Sequence, residues 1–308
     1  VLLHVYDALL TKDPQDPEKL IPDLAKKWER VNPTTYRFTL NTDATFDDGT
    51  KLTATDVKYS VDYTLGLLPG RPPTTLSKYF PGLKSAKVVS PSEVDITTAT
   101  PDPLMPARMS RMLIIKDGAV AKRADALAAT VNGTGPYRLV RWDRNQKVVL
   151  AARDDYFRGA AKIKNVVFRT IPDAASRVSA IQSGAVDLIA GLPADNVEQV
   201  KSDVNVMTSP SSAIMEVWLN TLEKGPLQNS KVRLALNYAV NMDRIVTNLM
   251  SGYGIRIATV APDYFSDSSD DVKPLGTDPA KAKQLLSEAG YENGFSMTMM
   301  VPTDRYPF

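Results

Sequence analysis

The 308-residue sequence has no cysteine and a single histidine, His4. Without cysteine there are no disulfides, iron–sulfur clusters, thiolate zinc sites or cysteine nucleophiles, although the cellular compartment stays open. One histidine excludes multi-imidazole metal sites. A Ser–His–Asp triad has only His4 to build on, and no GxSxG or Walker loop accompanies it. His4 lies in the apolar opening segment VLLHVYDALL, where a packing role is expected. Charge of one sign is also missing: 37 Lys+Arg against 35 Asp+Glu leave a net +2. These charges are dispersed, so nucleic acid finds no basic stripe to bind. No apolar run approaches the ~20 residues needed to cross a bilayer. Val1 opens the chain without an initiator methionine or a signal pattern, and the expectation is that a targeting segment has been removed.

What is present suits a soluble globular protein, with 43% hydrophobic and 23% charged residues. At about 150 residues per domain, two or three lobes are expected. Along the chain, DLAKKWERV (23–31) has helical spacing, with Leu24, Trp28 and Val31 on one side. TTYRFTL (34–40) alternates as a half-buried strand does, with Tyr36, Phe38 and Leu40 facing one way. AKVVS and EVDITTAT read as a second strand pair, and KDGAVAKRADALAAT as a short helix. Gly133, Gly135 and Pro136 punctuate a loop before the hairpin YRLVRW/KVVLAAR, which turns at DRNQ. GTG is too short and wrongly placed for a dinucleotide fingerprint. NVVFRTI, AASRVSAIQSG and VDLIAG suggest a β–α–β unit with parallel strands. MEVWLN reads as a strand with Met215, Val217 and Leu219 on one face and Glu216, Trp218 and Asn220 on the other. KVRLALNYAVNMDRIVTNLM and DPAKAKQLLSEAG are helical, the latter ended by Gly290, and FSMTMMVP looks like a further strand.

The stretch FDDGTKLTATDVKYSVDYTL admits two readings. Asp47 and Asp48 form either a pair of working carboxylates or part of a turn that leads into a capped helix. Asp-Gly tolerates the positive φ of a tight turn. Thr53 or Thr55 can cap the helix, Asp56 lies near its positive end, and Val57, Val61 and Leu65 recur at helical spacing. The turn reading accounts for every residue and is favoured, with the turn expected to lie away from a ligand site.

The order DLAKKW, YRFTL, FDDGTKLTATDVKYSV, NGTGPYRLVRW, DYFRG, AIQSGAVDL, VRLALNYAVNMDRIV and DPAKAKQLLSEAGY resembles the family 5 extracellular solute-binding proteins, receptors of bacterial ABC importers for peptides, nickel and opines. The resemblance implies an α/β, periplasmic-binding-protein-like (type II) fold of two lobes with an extra α+β subdomain inserted in the first. Residues 1–10 and 119–213 would form the first lobe, 11–118 the inserted subdomain, and 214–308 the start of a second lobe. The family's leading strand is missing before Val1, and the chain ends at TDRYPF where the family continues, so a fragment with an incomplete second lobe is expected. The implied function is capture of a small solute, foremost an oligopeptide or dipeptide, between two lobes. The implied partners are the permease subunits of an ABC transporter, with no cofactor, no catalysis, a monomeric state, and a periplasmic or outer-face membrane-anchored location.

Ligand contacts are expected from Trp218 with Glu216 and Asn220, from Tyr6 and Asp7 at the end of the opening segment, from Tyr79 in LSKYF, and from Arg111. Each has a plainer alternative: core packing for Trp218 and Tyr6, an exposed loop for Tyr79, a solvated surface for Arg108 and Arg111. Tyr137 is expected to serve the fold. Two rival classes stay in view. A carboxylate-dependent glycosidase built on Asp47, Asp48 or Glu216 needs two carboxyls facing each other roughly 5 to 10 Å apart. A scaffold protein needs a large exposed apolar patch.

Overall fold

A computed structural model of the chain describes residues 1–16, 18–120, 131–210, 213–260 and 271–301. These fall into two compact units, Val1–Thr170 and Ile171–Phe308.

Among the described residues, three antiparallel sheets frame the first unit. Helix α1 (Leu2–Val5) leads to β1 (Leu10–Lys12), which pairs with β2 (Leu20–Pro22). Strands β3 (Ala25–Asn32), β4 (Thr35–Leu40), β5 (Leu83–Ser90) and β6 (Glu93–Thr98) form a sheet in the order β3-β4-β6-β5. Strands β7 (Tyr137–Asp143), β8 (Lys147–Ala152) and β9 (Asn165–Arg169) form the third. Helix α2 (Ala54–Leu65) packs on β5 and buries Val57 and Val61 completely. Its start is a capping box: the Thr53 amide and hydroxyl both donate to Asp56 Oδ2 at 2.8 Å. Such a cap stabilises a helix by ~1 kcal/mol.

The main core gathers Leu24, Phe38, Phe46, Ile96, Val57 and Val61 with Met105 and Met109 of helix α3 (Met105–Met109). Full burial of each Phe or Leu contributes ~1.5–3 kcal/mol. A second core joins Val5 and Tyr6 to Tyr137 and Leu150 of the third sheet.

Four expected elements differ. DLAKKWERV is not a helix: residues 25–32 form β3, with Trp28 opposite Phe38 on β4. A register shift between Ala25 and Lys27 inserts one residue into the strand. That bulge puts Ala25 and Trp28, opposite Leu40 and Phe38, on one face three residues apart, a spacing that a helix also gives. The β–α–β unit is also absent. β9 pairs antiparallel to β8, helix α4 (Ala174–Gln182) follows, and residues 186–191 form no strand. Residues 213–220 and 295–301 form no strand either, because among the described residues nothing pairs with them, and alternation alone does not hold a strand. Of the helix expected at 116–130, residues 121–130 lie outside the described residues, as does TDRYPF.

In the second unit, helix α5 (Ser230–Ala239), helix α6 (Met242–Asn248) and helix α7 (Pro279–Glu288) fall where helical spacing indicates. Each is capped by its preceding Asx side chain: Asn229, Asn241 and Asp278 accept from backbone amides at 2.9 Å. Helix α5 packs on α7, tied by Lys231–Glu288 at 2.8 Å and by Lys281 over the Tyr238 ring.

Candidate functional site

The opening segment runs extended after α1 and is crossed by the GTG loop. The Gly135 amide donates to Val5 O at 2.9 Å, and the Asp7 amide to Thr134 Oγ1 at 3.3 Å. A Cβ on Gly133 would sit 1.9 Å from Val5 O, and one on Gly135 would sit 2.6 Å from the Val5 carbonyl carbon. Only glycine permits so close a backbone crossing.

FDDGT forms the expected turn: Phe46 N donates to Thr50 O at 2.8 Å, Gly49 N to Phe46 O at 2.9 Å, and Gly49 has φ +79°. The turn is pinned to the GTG loop, with the Asp47 amide on Gly133 O (2.9 Å) and the Asp48 amide on Asn132 Oδ1 (3.2 Å). Asp48 Oδ2 accepts from Asn132 Nδ2 (2.9 Å) and Lys116 Nζ (2.5 Å), and Oδ1 from the Thr50 hydroxyl. Burial alone would raise the Asp48 pKa; the bonds from Lys116 and Thr50 outweigh it and hold the carboxyl well below its usual range.

Arg153, the residue after β8, closes this junction. Its side chain is 3% exposed. Nη1 donates to Thr45 O (3.0 Å) and Gly133 O (3.3 Å), Nη2 to Thr45 Oγ1 (2.9 Å) and Phe46 O (3.2 Å), and the guanidinium also grips Asp155. One buried cation therefore joins the FDDGT turn, the GTG loop and the DYFRG turn. Sequence reasoning passed over it; its only signal is a charge at the end of the apolar strand KVVLAAR.

Beside it lies a buried acidic cluster. Asp7 and Asp23 are 7% and 8% exposed. Asp7 Oδ1 accepts from the Tyr156 hydroxyl at 3.1 Å, and its Oδ2 has no partner among the described residues. Asp23 Oδ1 accepts from Arg158 Nη1 at 3.2 Å. Burial first, then the charge of Asp7, raises the Asp23 pKa to about 6. Burial raises Asp7 as well, against hydrogen bonds from Thr134 and Tyr156. Tyr6, next to Asp7, is buried in the smaller core, and burial pushes its hydroxyl pKa up.

Tyr79 and Arg111 are brought together. The Arg111 guanidinium carbon lies 5.9 Å from the centre of the Tyr79 ring, and Tyr79 is 55% exposed. Arg108 is committed elsewhere, to Asp102 Oδ2 (3.0 Å) and Tyr79 O (3.3 Å). Arg111 has no carboxylate partner among the described residues. In the second unit Trp218 is 86% exposed, so it is not core there, and its Nε1 donates to Glu216 Oε1 at 2.7 Å. Asn220 Oδ1 accepts from the Leu222 amide.

His4 packs edge-on against Phe168 at 5.2 Å, and burial lowers its pKa, as a packing residue requires. The Tyr137 hydroxyl donates to Ile163 O, which makes it a fold residue. A surface concavity of about 550 Å³ at the β7–β8 turn is lined by Asn145, Gln146, Lys147, Val167, Arg169 and Thr170, none of them an expected ligand residue. Among the described residues no group of three acidic or imidazole side chains is placed to hold a metal, and no helix is long and apolar enough to cross a membrane.

Known proteins resemble this chain in sequence and fold. The chain is 29% identical over 289 residues to the glutathione-binding protein GsiB of Pectobacterium atrosepticum, covering 91% of this chain and 55% of that protein. It superposes on NikZ of Campylobacter jejuni, solved with Ni(L-His), at TM-score 0.78 and 26% identity, covering 93% of this chain and 58% of NikZ. It superposes similarly on the periplasmic binding protein DppA of Helicobacter pylori, solved with the peptide STSA, at TM-score 0.77 and 26% identity, covering 94% and 61%. The chain spans about half the length of the curated relatives it matches. The fold is thus the type II periplasmic-binding-protein fold that the motif order implies. The family model for the bacterial extracellular solute-binding proteins, family 5 Middle, matches residues 19–308, and the chain belongs to that family.

Proposed function

We propose that the chain is part of a substrate-binding receptor of a bacterial ABC importer, which captures an oligopeptide or dipeptide outside the cytoplasmic membrane and delivers it to the permease subunits. The single observation that carries the ligand chemistry is the Tyr79–Arg111 pair: an exposed aromatic face beside a guanidinium with no carboxylate of its own among the described residues. A peptide supplies what this pair lacks, a carboxylate for a bidentate guanidinium contact and side-chain or backbone surface for the ring. Trp218, exposed beside Glu216 and Asn220, supplies a second aromatic platform with polar neighbours, and the family resemblance assigns Tyr6 and Asp7 to the border of the ligand site. The receptor acts as a monomer, without cofactor or catalysis. Residues 1–10 and 119–213 belong to its first lobe, 11–118 to the inserted subdomain and 214–308 to the second lobe.

The relatives support the class and leave the ligand broad, since their names include glutathione, nickel–histidine and a peptide. The glycosidase alternative loses support because Asp48 is bonded to Lys116, Asn132 and Thr50 within a turn. A thermal-shift screen with di- and oligopeptides, opines, oligosaccharides and nickel chelates tests the reading. Peptides are expected to raise the melting temperature, and Arg111→Ala to abolish that rise. A response to oligosaccharide alone would overturn the peptide assignment.

A further inference from the structure

We propose that the outer face of the third sheet docks on an anionic phospholipid surface, with Lys147 and Arg169 taking a lipid phosphate. Positive charge is concentrated in this part of the chain. Residues 137–170 carry nine Lys and Arg against three Asp, a net of +6, so with +2 for the whole chain the remainder carries −4. The sequence spaces these cations apart, and strand register gathers them. Leu139, Val148, Leu150 and Phe168 face the smaller core, which turns their strand neighbours Lys147, Val149, Val167 and Arg169 to the other side. The register shift between Leu139 and Arg141 keeps Arg138 and Arg141 on that same side, opposite Ala151 and Val149. Arg138, Arg141 and Arg169 are exposed. The acid opposite Lys147 is Asp143, which already accepts from Arg141 Nε at 2.7 Å.

At the hairpin end of this face Lys147 lies directly opposite Arg169. Like charges so placed destabilise a sheet, and an anion between them reverses the sign. The concavity of about 550 Å³ at this turn is lined by both cations, by apolar Val167, and by the polar side chains of Asn145, Gln146 and Thr170. A phosphodiester suits that lining, with charge-assisted bonds from Lys147 and Arg169 to its oxygens and Val167 beside its glycerol carbons. A flat acidic protein surface would use the charges and leave the concavity empty. The rim adds a second feature of a membrane contact. Trp142 is exposed at the same end, with the Arg144 guanidinium carbon 5.5 Å from its ring centre. A tryptophan flanked by cations belongs in the headgroup layer.

This docking does not depend on the receptor's ligand, and peptide affinity measured on the same variants keeps the two readings apart. Vesicle sedimentation of the full-length receptor, made without a lipid anchor, tests it on phosphatidylcholine alone and on phosphatidylcholine with about 30% phosphatidylglycerol. Binding to the anionic vesicles is expected to exceed that to the neutral ones at least tenfold at about 0.05 M salt, and to be lost at about 0.5 M. Lys147→Gln and Arg169→Gln should each lower it about fivefold, with melting temperature and peptide affinity unchanged. Lys27→Gln and Lys84→Gln, on the four-stranded sheet, should leave it unchanged. Tryptophan emission should shift to the blue on anionic vesicles, and Trp142→Phe should erase that shift. Equal binding to both vesicle types, or equal losses from the Lys27 and Lys84 variants, would overturn the proposal. So would full displacement by millimolar glycerol phosphate, which marks a free-anion site, or binding that requires permease in the vesicles, which marks a protein partner.

Discussion

Replacing Arg153 with methionine separates two accounts of this residue: an ion pair with Asp155, or a clamp on backbone carbonyls. Methionine keeps much of the stem's volume and removes every donor. Asp155 is 62% exposed at its side chain, so the ion pair itself contributes under about 1 kcal/mol. The carbonyl bonds lie in the interior and are charge-assisted, each contributing about 1.5–3 kcal/mol. Gly135 O is reached only at 3.5 Å, and two of the other four oxygens retain other donors, since Phe46 O accepts from Gly49 N and Gly133 O from Asp47 N. The larger loss therefore falls on Thr45, whose carbonyl and hydroxyl both accept from the guanidinium. Two such bonds put the cost of Arg153→Met at about 3–6 kcal/mol, with Asp155→Asn below about 1 kcal/mol. Arg153→Lys recovers less than half, because an ammonium cannot span the Thr45 and Gly133 carbonyls as the planar fork does. Urea unfolding followed by tryptophan fluorescence measures all three. Equal losses for Arg153→Met and Asp155→Asn, or a loss under about 1 kcal/mol for the former, would refute the clamp.

Arg111→Ala should weaken binding of a carboxylate-bearing peptide by tenfold or more, about 1.4 kcal/mol by calorimetry, with stability unchanged. Arg108→Ala should do the reverse, losing about 1 kcal/mol of stability with its bonds to Asp102 and Tyr79 O. Gly133→Ala should fail to fold, or melt far below wild type, because its new Cβ meets Val5 O at 1.9 Å. Gly49→Ala, with open space around it and φ +79°, should cost only the left-handed penalty of about 1–2 kcal/mol. Asp48→Asn should leave ligand affinity within tenfold of wild type, and a larger loss in a stable variant would restore the carboxylate-site reading. Because the Asp48 pKa is depressed, its stabilisation is present above the unfolded pKa and lost as pH falls. Acid melts should therefore show a shallower decline for Asp48→Asn than for wild type.

Local chemistry was legible wherever one short segment carried the whole signal. Thr53 and Asp56 lie three residues apart and announce their capping box, and the Asp48-Gly49 turn needs nothing beyond its own four residues. The β7–β8 hairpin showed in its alternation and in Asn145, which takes φ +61° at the turn. Periodicity misled where the partner decides the outcome. Bulged β3 acquired a helical spacing, and Trp28 shows its true neighbour only once Phe38 lies opposite. Residues 213–220 alternate as a strand does, yet without a paired edge the alternation fixes nothing.

The site divides along the same line. Tyr6, Asp7 and Tyr79 are expected at the site from the family resemblance and Arg111 from its charge, whereas the contact between Tyr79 and Arg111 joins residues from a 3-10 turn and the loop after α3 that no spacing rule connects. The Arg153–Thr45, Tyr156–Asp7 and Arg158–Asp23 bonds span 108, 149 and 135 residues, so no window along the chain contains both partners. Their trace in the sequence is negative: a charge where the local pattern calls for an apolar residue. Arg153 ends an apolar strand, and Asp7 interrupts the run from Val5 to Leu10. A desolvated charge survives in such a place only if something distant satisfies it, so each such violation points to a polar junction before its partner is known. By that rule Asp7, Asp23 and Arg153 belong together as the polar seam between the two cores of the first unit.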